Sequence, residues 1–87
     1  MTFHITIEYH KRAIRLSVEQ LSIDDRMERY SVRGSNGTIM IESNRPLFRA
    51  RGLKHRPPTW RQIDGKPLGD HALQLIGAAI QQYMEKK

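Results

Sequence analysis

The chain has no cysteine, which excludes disulfide staples, thiolate zinc sites and cysteine nucleophiles together. No stretch approaches the ~18 consecutive apolar residues of a membrane-spanning helix. The N-terminus alternates apolar and polar residues where a secretion signal would show a charged head and an apolar run, so a cytoplasmic protein is expected. Neither GxGxxG nor GxxxxGK[ST] occurs, so no glycine-rich phosphate loop and no cofactor is indicated. The acids are scattered, and no serine, histidine and acid spacing suggests an arranged nucleophile, so neither catalysis nor a small-molecule substrate is expected. Of the four histidines, His4 and His10 share a strand face, but six residues of strand hold them about 20 Å apart, too far to chelate one ion.

Another absence is local. From Arg45 to Arg61 there is no Asp or Glu, while Arg45, Arg49, Arg51, Lys54, Arg56 and Arg61 all fall there. Removing these six from the fifteen Lys and Arg leaves nine cations against nine acids, so the rest of the chain is formally neutral. A sequence pI near 10.2 favours polyanionic partners, nucleic acid first.

What is present is strong patterning. Phe3, Ile5, Ile7 and Tyr9 alternate with Thr2, His4, Thr6 and Glu8, and Ile14, Leu16 and Val18 repeat the alternation, which is the period of half-buried strands. A short loop around Lys11 and Arg12 would set Tyr9 against Ile14, Ile7 against Leu16 and Ile5 against Val18. A turn through Ser22 to Arg26 leads to a second hairpin centred on Asn36-Gly37, a pair suited to the two positive φ angles of a type I′ turn. Pairing outward from that centre sets Val32 opposite Ile41 and Gly34 opposite Ile39, with Tyr30 on the same face.

The pattern then fails over residues 44–58, interrupted by Pro46, Gly52 and Pro57-Pro58, and the segment reads as a long basic loop. A short fifth strand is expected over Thr59 to Ile63. The C-terminus reads as a helix with Asp70 as N-cap and Leu73, Ile76, Ala79, Ile80 and Tyr83 along one stripe, with Lys86 and Lys87 at the negative end of its dipole.

The expected fold is therefore α+β. A single domain, 1–87, holds a twisted antiparallel sheet of four to five strands, two hairpins first, with one C-terminal helix packed on one face. A domain this short buries only about 60 to 65% of the surface it exposes when unfolded. Five strands span roughly 20 Å and one helix about 10 Å, so the sheet must curl around the helix, or the basic loop's Leu47, Phe48 and Leu53 or a second subunit must cover the remainder. The order of elements is similar to that of the single-strand-binding Whirly and Pur-alpha families; the similarity is of order alone, without matching residues, and fold does not give function.

The leading reading is a small, non-enzymatic module that binds DNA or RNA. Arg45, Arg49, Arg51, Lys54, Arg56 and Arg61 would meet phosphates, and Phe48 or Trp60 would stack on bases. Set against it is a solvated loop whose Phe48 and Trp60 face the core, in a protein-interaction or homodimerising module with no nucleic-acid role. For Trp60 the average burial of tryptophan favours the inward position.

Overall fold

Period-two alternation carries β1 (Thr2–Tyr9), β2 (Arg12–Ile23), β3 (Glu28–Gly34) and β4 (Gly37–Ser43), followed by a short α1 (Arg45–Ala50), β5 (Trp60–Asp64) and α2 (Asp70–Glu85). The structure is a computed structural model that describes residues 2–35, 37–50, 52 and 58–85, with the backbone alone for 49 and 50. The five strands form one antiparallel sheet in sequential order, so the α+β architecture follows the hydrophobic pattern.

Both hairpins differ from expectation by two residues of register. Ile7 pairs with Ile14, Ile5 with Leu16 and Phe3 with Val18, because the chain turns tightly through His10 and Lys11, at φ 53° and 63°. Likewise Gly34 pairs with Gly37, setting Val32 against Ile39 and Tyr30 against Ile41. A slip of two leaves every side chain on its face, so the core is the same as the alternation indicates. The turn after β2 falls slightly later than expected. There the Asp24 carboxylate accepts the N–H groups of Met27 and Arg26, each at 2.7 Å, and these bonds hold its carboxyl below the usual carboxylate range.

The inward row Phe3, Ile5, Ile7, Leu16, Val18, Tyr30, Val32, Ile41 and Trp60 meets Ile76 and Ile80 of α2. The helix lies against β1 and β5, the two edges of the sheet, so the sheet does curl around it. Phe3 stacks on Tyr83 with ring centroids 4.0 Å apart, fastening the β1 side. The N-cap is Gly69 and not Asp70, since the Gly69 carbonyl accepts the first helical N–H, from Leu73, at 3.1 Å. Asp70 opens the helix, where its charge suits the dipole. Lys86 and Lys87, expected at the other end, lie outside the described residues.

On the β5 side the fastening is Gly77. A Cβ there would sit 2.5 to 2.7 Å from three ring atoms of Trp60, so the indole packs directly on the helix backbone. Gly77→Ala gains about 1 kcal/mol of helix propensity but overpacks a fixed ring, a change that costs about 1 to 3 kcal/mol and sits at the upper end for so close an approach. The expected net result is a destabilisation of about 1 to 2 kcal/mol in urea unfolding. An alanine variant more stable than the parent would show that Trp60 does not rest on this glycine.

Candidate nucleic-acid interface

The segment expected as a loop over 44–58 begins as a helix. Asn44 is the N-cap of α1: its carbonyl accepts the N–H groups of Leu47 at 3.1 Å and Phe48 at 3.4 Å. Pro46, lacking an N–H, falls in the first turn, where no intrahelical donor is needed.

Arg45, at the first helical position, turns back into the sheet. Its Nε donates to Glu28 Oε2 at 2.7 Å and its Nη2 to Glu28 Oε1 at 3.0 Å, while its own N–H donates to Ser43 Oγ at 3.1 Å. Tyr30 Oη donates to the same Glu28 Oε1 at 2.6 Å. Glu28 and Tyr30 are fully buried and Arg45 is 8% exposed. The bidentate bond to Glu28 raises the Arg45 pKa, against the opposing effect of burial. Burial first, then the bond to Glu28, pushes the Tyr30 hydroxyl well above its ordinary value, so its contribution is fully present below about pH 10 and is lost only as the pH rises through the folded value. This network joins α1 to β3 and β4.

The far end of the segment is fastened too. The Thr59 N–H donates to Asn44 Oδ1 at 2.7 Å, so the backbone leaving β4 and the backbone entering β5 are clamped side by side. The next residue, Trp60, is 5% exposed and packs on Gly77 and near Tyr30, with ring centroids 6.0 Å apart. The chain thus leaves the sheet after Asn44 and rejoins it at Thr59 through one pinned neck, with fourteen residues between them in sequence.

Arg61 lies on the outer face of the sheet beside the neck. Register places Arg29, Glu42 and Arg61 in one row across β3, β4 and β5, and Glu42 accepts hydrogen bonds from both guanidiniums, that of Arg29 at 3.4 Å. Two cations on one acid leave a net positive charge there, and the Arg29 and Arg61 side chains are 54% and 72% exposed.

The eight residues singled out by sequence thus divide. Arg45 and Trp60 are structural, held inside by Glu28 and Gly77. Arg61 is exposed but bonded to Glu42, and Phe48 is half-buried. The side chain of Arg49, and Arg51, Lys54 and Arg56 entirely, lie outside the described residues. Two further residues, Asn44 of the neck and Arg29 of the row beside it, are not evident from charge alone. Asn44 carries its signal as an N-cap residue two positions before a proline, and Arg29 enters through strand pairing.

Among the described residues no group of three His, Asp or Glu side chains is placed to hold a metal, and no helix is long and apolar enough to cross a membrane. No protein-family model, no curated protein and no solved structure matches the chain.

Proposed function

We propose that the protein is a small, non-enzymatic nucleic-acid-binding module that grips phosphates with the chain between the fastened ends. The observation that carries this is the clamp. Arg45, Asn44 and Trp60 tie both ends of an acid-free segment to the core, and the chain between them holds Arg49, Arg51, Lys54 and Arg56. With its ends in contact, a fourteen-residue segment cannot carry the backbone of any of these residues more than about 25 Å from the neck. Four cations within eight residues of sequence, with no acid from Ser43 to Ile63, make a local positive field on a nearly neutral scaffold. Pinning the ends also reduces the ordering entropy lost when the segment meets a ligand.

Phosphate contact is the main term in this reading and base stacking a minor one, because Trp60 is committed to the core. Anisotropy titrations with labelled single-stranded DNA, duplex DNA and RNA at low salt test the proposal. Binding to at least one is expected, with little change in the emission of Trp60, the sole tryptophan. Failure to bind any of the three would overturn it, and strong quenching of Trp60 would return stacking to the mechanism.

A further inference from the structure

The two edges of the sheet are treated differently by the chain. At β5 the edge is short and tied to its own continuation: the Gln62 side chain donates to the carbonyls of Lys66, at 2.8 Å, and Asp64, at 3.2 Å, and accepts the Leu68 N–H at 3.0 Å. At β1 nothing comparable is present among the described residues. The strand is eight residues long, with no proline, lysine or bulge, and none of the hydrogen bonds among the described residues outside the β1–β2 ladder reaches it. Long edges without such devices are templates for further strand pairing.

The geometry of the free edge follows from the hairpin. The two-residue turn makes Tyr9 and Arg12 a hydrogen-bonded pair, so alternate pairs back along the ladder are bonded too. The backbone N–H and C=O groups of Thr2, His4, Thr6 and Glu8 therefore point away from β2, in the plane of the sheet. The helix does not occupy that direction, because it packs on the inward side chains, as the Phe3 and Tyr83 stack shows.

We propose that β1 pairs antiparallel with β1 of a second copy of this chain, about a two-fold axis at Thr6, making a continuous ten-stranded sheet. Self-complementarity at that register is the argument. His4 falls opposite Glu8 of the partner subunit, and Thr6 opposite Thr6 of the partner subunit, on the exposed face. On the inward face Ile5 meets Ile7 of the partner subunit and Phe3 meets Tyr9 of the partner subunit. A histidine donating to a carboxylate, threonine pairs and aromatic pairs are combinations that stabilise neighbouring strands. Moving the axis to Ile5 keeps as many pairs but loses both the His–Glu and the aromatic match. Nothing here depends on the basic segment, so the dimer stands or falls apart from polyanion binding.

Sedimentation velocity of the full chain tests it. The parent protein is expected to be dimeric at about 100 μM. Thr6→Pro removes an outward N–H that the β1–β2 ladder does not use, and the result is a folded monomer. Because a proline substitution risks the fold itself, a charge exchange provides the second arm. His4 and Glu8 face Ser17 and Ala13 within the chain, so neither has a charged partner directly across the hairpin. His4→Glu should weaken the dimer about ten-fold through two like-charge pairs, and His4→Glu with Glu8→Arg should restore it. A parent protein that is monomeric at that concentration, or a dimer indifferent to His4→Glu, would overturn the proposal.

Discussion

Arg45→Ala should lower the free energy of unfolding by about 3 to 5 kcal/mol, the usual cost of leaving a buried charge without its partner. Glu28 has no exposed surface, and once the guanidinium is gone its carboxylate keeps only the Tyr30 hydroxyl. A domain of this size has about 5 to 15 kcal/mol in all, so the melting temperature should fall by on the order of 20 °C. Arg45→Lys should recover only part, since a point charge cannot reproduce the two bonds at 2.7 and 3.0 Å. Glu28→Leu with Arg45→Met should recover most of it, because removing both partners leaves no buried charge. Unfolding followed by Trp60 emission reads all three variants against the parent. A surface arginine that served only to meet phosphate would change stability by less than about 0.5 kcal/mol on removal, and that outcome would contradict the buried network.

Replacing Arg49, Arg51, Lys54 and Arg56 together by alanine should have the opposite profile, with affinity lost and stability kept. The fastenings of the segment are Arg45, Asn44, Thr59 and Trp60, and none of them is altered. Each phosphate contact carries roughly 0.7 to 0.9 of a decade of affinity per decade of salt, so losing four should lower binding to single-stranded nucleic acid by on the order of a thousand-fold at low salt. Unchanged affinity would move the contacts to another surface, of which the exposed Arg29 and Arg61 row is the first to test.

These two variants separate residues that look equivalent in the sequence. Charge alone groups Arg45 with Arg49 to Arg61, yet a signal for its different role is present in β3. Glu28 has the same parity as Tyr30 and Val32, and an acid at an inward strand position demands a cation or an expensive burial. Its partner lies 17 residues on, at a helix start whose marks, Asn44 as cap and Pro46 in the first turn, are readable once a helix is considered. The strands were readable for a simpler reason, that alternation with period two states which face is buried. The same period cannot distinguish registers that differ by two, so the tight turn at His10 and Lys11 and the pairing of Gly34 with Gly37 are decided by turn geometry. Gly77 is the hardest to foresee, because its role depends on a ring 17 residues away and not on its neighbours in the helix.

The structure also removes two of the six charges from the number expected to meet phosphate. Six cations would give a slope of log affinity against log salt of roughly −4 to −5, whereas with Arg45 buried and Arg61 bonded to Glu42 the remaining four give roughly −3 to −3.5. The salt dependence of nucleic-acid binding by the parent protein and by the four-alanine variant is therefore the decisive measurement. A slope of about −3 that collapses toward zero in the variant is the result expected. An equal slope in both proteins would contradict the assignment of binding to this segment.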